Sequence, residues 1–151
     1  MTTSHPTRVS HNYTQHLDAT PDVVFPLLCP VRERDWVPGW NPAWVLSTSG
    51  VAEEDCVFAT DDENGQSVWL ITDHQPPTYV RMYKLTPGLV LTRLDISLRP
   101  HETTATTADV RYSYTALSDD GAAWVAQRTA DWYVRFMEQW EKELNAYLAA
   151  T

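Results

Sequence analysis

The chain predicts an α+β domain: a strongly bent antiparallel sheet of six to seven strands, with one long C-terminal helix across its concave face. Three observations predict it. From about Asp119 to Leu148, the residues Val125, Thr129, Trp132, Phe136, Trp140, Leu144 and Tyr147 recur at steps of three and four. That is the spacing of one apolar stripe on a continuous helix of roughly 25–30 residues. Between Thr7 and Leu117, short alternating runs are separated by turn-forming residues, apart from one helical patch. Those runs follow one another through short connections, which is how antiparallel neighbours are joined.

Residues 1–6 read as a flexible tail and 7–149 as one domain. In 8–17, Val9, His11, Tyr13, Gln15 and Leu17 share one face of a first strand. Thr20 then suits a helix N-cap, Pro21 the first helical position, and Asp22 the positive end of the helix dipole. A short helix continues through Val23, Val24, Phe25, Leu27 and Leu28, and Pro30 ends or kinks it. Residues 30–44 carry Trp36, Trp40 and Trp44 around Pro38-Gly39, a pattern no regular helix accommodates. A helical turn at Val31–Asp35 followed by an irregular aromatic loop is expected there. Six strands follow at about 44–48, 55–60, 67–74, 78–85, 89–98 and 106–117, punctuated by Gly50, Asn64-Gly65, Pro76-Pro77, Pro87-Gly88 and Pro100. Asp119 and Asp120 lead into the final helix, and Asp131 with Arg135 and Glu138 with Lys142 are spaced as ion pairs on its outer face.

Composition narrows the function classes. Twenty acidic residues against eleven basic ones give a net charge of −9 with no Lys/Arg cluster, which argues against nucleic acid or an anionic membrane surface as partner. Cys29 and Cys56 stand in no metal-ligand or CxxC spacing and read as buried thiols. Met1–Arg8 has no apolar leader, and no run approaches the roughly 18 apolar residues of a membrane span, so a soluble cytoplasmic protein is the expectation. His5, His11, His16, His74 and His101 are scattered, and His11 and His16 fall on opposite faces of one strand. No metal and no cofactor are expected. A strand at the sheet edge, such as 44–48, can pair with a second copy, leaving monomer or homodimer open.

The element order resembles the helix-grip fold of the START/Bet v 1-like superfamily (SRPBCC, polyketide cyclase/dehydrase and lipid transport). Leu17-Asp18-Ala19-Thr20-Pro21-Asp22-Val23-Val24-Phe25-Pro26-Leu27-Leu28 is similar to its opening of strand, Ala-x-Pro-x-x-Val-Phe, helix. Trp36 and Trp40, Val57-Phe58, Pro87-Gly88, and Tyr114-Thr115-Ala116-Leu117 leading through Asp120-Gly121 complete the likeness across about 7–149. Cys29-Pro30-Val31-Arg32-Glu33-Arg34-Asp35-Trp36-Val37-Pro38-Gly39-Trp40 resembles the signature of one bacterial subgroup. The resemblance implies a hydrophobic or amphipathic cavity between sheet and helix, in a superfamily whose members bind lipids, sterols, hormones or polyketides, cyclise them, or activate chaperones. It carries no shared catalytic positions.

The residues themselves supply a pocket wall: Trp36, Trp40, Trp69, Tyr112, Tyr114, Trp132 and Phe136, with Tyr13, His11, Thr72 and His74 as hydrogen-bonding candidates. No nucleophile motif is present. Acid–base chemistry of a cyclase or dehydratase type is the enzymatic option, and it depends on strand register. In one register Arg81, Tyr83, Arg93 and Asp95 face the cavity; in the other, the more natural, Val80, Met82, Leu94, Ile96 and Leu98 do, and the charged set pairs across strands on the outside. A binder of a small hydrophobic ligand is the first expectation, a cyclase- or dehydratase-like enzyme the second, and a protein-interaction module the third.

Overall fold

The alternation from Arg8 to Leu17 becomes strand β1 in the computed structural model, which describes residues 1–151. Residues 1–7 carry no regular structure. After β1, Thr20 opens helix α1 (Pro21–Val24) through its backbone: its carbonyl accepts from the Val23 and Val24 amides at 3.0 Å, and its hydroxyl caps nothing. The segment then tightens into a 3-10 turn at Phe25–Leu27, and a second such turn spans Arg32–Asp35. Strands β2 (Trp44–Leu46), β3 (Val57–Asp62), β4 (Gly65–Gln75), β5 (Tyr79–Thr86), β6 (Val90–His101) and β7 (Ala105–Ala116) follow. They form one seven-stranded antiparallel sheet in the order β1-β7-β6-β5-β4-β3-β2. A register shift between Ile71 and Asp73 puts a bulge in β4, which bends the strand and adds to the curvature of the sheet.

Pro100 does not make the turn its type predicts; it lies inside β6, paired with Thr106 of β7. The Leu98 amide donates to Thr78 on the β5 side, and a residue two further on points its nitrogen to the same side, past the end of β5. A missing N–H there leaves no ladder bond unmade. The turn falls instead at Glu102, whose φ is 55°.

The C-terminal stripe does not run on one helix. Helix α2 (Asp119–Ala126) stops, three residues turn, and helix α3 (Ala130–Ala150) begins anew. Thr129 is the cause. It sits in the stripe by spacing, but its extended backbone and its hydroxyl, which accepts from the Trp132 amide at 3.2 Å, make it the N-cap of α3. The deepest face of α3 is Tyr133, Met137, Trp140 and Leu144, all buried, whereas Trp132 and Phe136 are half-buried beside it. Fully burying one such side chain stabilises the fold by about 1.5–3 kcal/mol. The ion pairs expected on α3 do not form: the four salt bridges are Arg32–Asp35, Arg81–Asp95, Arg93–Asp95 and Arg99–Asp109.

Helix α3 also seals the outer edge of β1. The buried Gln15 amide donates to the Met137 carbonyl at 3.1 Å, the His16 amide to Glu141 at 2.6 Å, and the Asp18 amide to Asn145 at 2.9 Å. Tyr133 reaches the next strand, its hydroxyl donating to the Val110 carbonyl at 2.8 Å. An edge strand is thereby covered and a long helix is held in one register against the sheet. No helix of the structure is long and apolar enough to cross a membrane.

Candidate functional site

Strand parity decides which side chains meet the helix. Val80, Met82, Leu94, Ile96 and Leu98 are buried on the concave side, so the apolar register is the observed one. Arg81, Arg93 and Asp95 occupy the convex side as a network: Arg81 Nε lies 2.6 Å and Arg93 Nε 3.2 Å from the Asp95 carboxylate, and the Tyr79 hydroxyl donates to it at 2.5 Å. Burial alone would raise the Asp95 carboxyl; the hydrogen bonds from Tyr79 and Arg81 and the two positive charges outweigh it and hold the group below its usual range. Asp95→Asn is expected to cost about 1 kcal/mol at neutral pH. A depressed folded-state pKa gives stability that is present above the unfolded carboxylate value and lost as pH falls through the folded one. The gap between variant and wild type, read by urea titration, therefore closes in acid; a gap independent of pH would contradict the network.

Between the concave face and α3 lie two adjoining lobes of a cavity. The first, about 260 Å³, is walled by Val37, Pro38 and Trp40 of the aromatic loop, by Phe58, Trp69, Met82, Leu94 and Tyr112 of the sheet, and by Phe136 and Trp140 of α3; Glu33, Gln139 and Glu143 add polar groups. The second, about 280 Å³, shares Trp40, Trp69, Tyr112 and Phe136 as a common wall and continues to Tyr114, Thr86, Thr92, Trp124, Trp132, Lys84 and Arg128. Phe58 and Trp69 stack at 5.1 Å, Trp40 meets both edge-on, and Tyr112 meets Phe136 edge-on at 5.4 Å. Such offset and edge contacts hold aromatic walls rigid without filling the space between them.

Six of the sequence-predicted wall residues come together here: Trp40, Trp69, Tyr112, Tyr114, Trp132 and Phe136. Trp36 and Tyr13 stand apart. Trp36 is buried behind the wall, stacked on Trp140 at 5.9 Å with its indole N–H donating to the Leu27 carbonyl. Tyr13 faces the β1–α3 seam, where its hydroxyl meets Glu141 at 3.4 Å. The hydrogen-bonding candidates are engaged elsewhere: His11 donates to the Arg128 carbonyl at 2.7 Å and stacks on Tyr133, Thr72 lies in the β4 bulge beside Asp73, and His74 packs on Phe25. The aromatic loop is part plug and part wall, since Trp36 is core while Val37, Pro38 and Trp40 line the first lobe.

Sequence reasoning missed the charged groups of the cavity. Glu33, on the 3-10 turn, makes no side-chain hydrogen bond, and burial pushes its carboxyl up to about 8. Tyr112 shares its lobe; burial raises the phenol well above its ordinary value, and the neighbouring tyrosines and the Glu33 charge push the same way. Lys84 and Arg128, in the second lobe, are both lowered by burial. Lys84 shares its strand face with Val80, Met82 and Thr86, so the apolar register that was legible carries a lysine inward with it. Glu33 sits on an irregular segment with no period from which to read its direction.

No protein-family model matches the chain, and no curated protein matches it. Solved structures do. A protein of unknown function from Staphylococcus aureus superposes with a TM-score of 0.70 at 11% identity, covering 96% of each chain. DynU16, a protein in the dynemicin biosynthetic locus, gives 0.62 at 16% identity over 93% of this chain and 47% of its own. An HSP90 activator from Plasmodium falciparum gives 0.53 at 10% identity over 68% of this chain and 71% of that one. Likeness at these identities shows a shared fold, and that fold is the helix-grip arrangement: an open, curved antiparallel sheet holding a long C-terminal helix.

Proposed function

We propose that this chain binds a small hydrophobic or amphipathic molecule, lipid-, polyketide- or aromatic-like, in the cavity between the sheet and α3. One observation carries the reading: aromatic side chains from the loop, the sheet and α3 surround open space, while Trp140 Nε1 and Arg128 Nε, on residues that line it, are buried without a hydrogen-bond partner. An apolar body gains about 25 cal/mol for each Å² it removes from water there, and the few polar groups orient it. Native mass spectrometry of protein purified from its own host is expected to show a co-purifying mass of a few hundred daltons. Titrating that compound is expected to change tryptophan fluorescence, with Phe136→Ala, which removes the wall common to both lobes, weakening binding about tenfold. Protein that arrives empty and gives no saturable signal with any apolar probe would contradict the reading.

A second reading, a cyclase- or dehydratase-like enzyme, is favoured by Glu33. A carboxyl poised to about 8 inside an apolar lobe can give a proton to a carbonyl or departing hydroxyl oxygen and take one back from carbon near neutral pH. The Tyr112 hydroxyl in the same lobe, kept protonated by burial, can donate a hydrogen bond to the oxygen on which charge develops. The neighbour from the dynemicin locus supports a ligand drawn from natural-product chemistry. The HSP90-activator neighbour points to a protein-interaction role, but the unfilled cavity speaks against it as the first reading.

A further inference from the structure

We propose that the second lobe is an anion subsite, in which Lys84 and Arg128 receive a carboxylate, sulfonate or phosphate group borne on the apolar ligand whose body lies along Trp69, Tyr112 and Phe136. The proposal rests on the ligand-binding reading of the cavity and adds the chemical class of what enters it.

Four observations carry it. Lys84 is the one charged side chain at an inward position of β5, β6 and β7, every other inward residue there being apolar, aromatic or hydroxyl-bearing. Arg128 is delivered by the turn between α2 and α3, whose direction is held by the hydrogen bond from His11 to the Arg128 carbonyl. Its guanidinium stacks over Trp124 at 3.7 Å and Trp132 at 4.8 Å, and its buried Nε has no hydrogen-bond partner. Neither cation forms a salt bridge, although acidic residues outnumber basic ones by twenty to eleven. Asp62, at the rim of the lobe, accepts from the Asn64 amide at 2.7 Å; it acts on Lys84, and Glu63 on Arg128, only from beyond salt-bridge distance.

Two cations held half-dry and unpaired are destabilising unless something compensates them. Trp69, 5.0 Å below the Lys84 ammonium, and the two tryptophans under Arg128 compensate in part through their ring faces. A ligand anion would complete the compensation, a sulfonate or phosphate giving two oxygens to the flat guanidinium and a third to the ammonium, a carboxylate sharing its two oxygens between them. Tyr114, a buried side chain that lines this lobe, has a hydroxyl with no hydrogen-bond partner in the protein, and it can donate to the same group. The carboxyl of Glu33 lines only the first lobe, so the cavity is polarised along its length and a monoanion enters in one orientation.

The test uses a matched pair of fluorescent probes with identical rings, 8-anilino-1-naphthalenesulfonate and the uncharged N-phenyl-1-naphthylamine, titrated into the full chain. The sulfonate is expected to bind at least about tenfold more tightly than the neutral amine. Lys84→Gln and Arg128→Gln are each expected to reduce that preference about tenfold, while Lys84→Arg and Arg128→Lys retain most of it. The readout is a ratio of two affinities on one protein, so a general loss of folding or of cavity volume does not imitate it. If a glutamine variant fails to fold, the reversal of preference in Lys84→Glu, with circular dichroism confirming its fold, serves instead. Equal affinities in the wild type, or a preference that survives both glutamine variants, would overturn the anion subsite while leaving the apolar cavity standing. Failure of both probes to bind the folded wild type would overturn the cavity reading and this proposal together.

Discussion

Alanine at position 121 is expected to destabilise the protein by about 3 kcal/mol and to lower its melting temperature by roughly 10 °C. Gly121 lies in the first turn of α2, where its amide donates to the Ser118 hydroxyl at 3.0 Å. A Cβ there would stand 1.9 Å from the Leu89 carbonyl oxygen and 3.0 Å from its carbon. That carbonyl already accepts from the Leu117 amide at 2.9 Å, and the Ser118 hydroxyl donates to the adjacent Gly88 carbonyl at 2.6 Å. The β5–β6 turn and the segment entering α2 are thus joined by one backbone and one side-chain hydrogen bond, and neither can retreat without breaking both. The cost is steric rather than conformational, because Gly121 has helical geometry that alanine adopts readily. Thermal denaturation of Gly121→Ala beside Ala122→Gly separates the two causes. A Gly121→Ala variant as stable as the wild type would show that the turn and the helix are not in contact.

Glutamine at position 33 is expected to stabilise the protein above about pH 8 and to leave it unchanged in acid. The Glu33 carboxyl is pushed up to about 8 by burial, against 4.5 for the free side chain. Between those values the folded state holds a proton that the unfolded state has released, so stability falls as pH rises through the window. Below 4.5 both states are protonated and glutamine gains nothing. Above 8 the folded protein carries a carboxylate in the first lobe, and glutamine, neutral at every pH, avoids it. For a wholly dry group the difference would be about 5 kcal/mol. The half-buried carboxyl borders a cavity that admits water, so about 2 kcal/mol, or roughly 5 °C in melting temperature, is expected. Melts of the two proteins at pH 5 and pH 8.5 check it, and a difference of the same size at both would show that Glu33 keeps an ordinary carboxyl. In the acid–base reading, the same substitution also abolishes turnover of whatever compound native mass spectrometry identifies.

The architecture was legible because it follows from local periodicity. Period-two alternation marked β1 and β3 to β7 to within a few residues, and the step of three and four marked the C-terminal helical region. Register on β5 and β6 was legible too, since only one choice buries Val80, Met82, Leu94, Ile96 and Leu98. Two local signals misled. Thr129 fits an apolar stripe by position and ends a helix by chemistry, and Pro100 reads as a turn although its strand simply outruns its neighbour.

What the sequence by itself determined is therefore the container: strands, their inward faces, a helix to lie across them, and six of the aromatic side chains that wall the space. Which polar groups look into that space was decided only by the tertiary structure. Arg128 enters because α2 and α3 break apart beside it, Glu33 because a 3-10 turn rotates it inward, and Trp36 leaves the wall because Trp140 covers it. Lys84 is the instructive case: strand parity puts it on the same face as Val80 and Met82, and the fold surrounds it there with the Trp69 ring and the second lobe. The physical reason is common to the three charged groups. Burial of apolar residues follows a periodic rule that each segment obeys alone, whereas the burial of a charge is settled by the remote groups that surround it, and those are brought together only by folding.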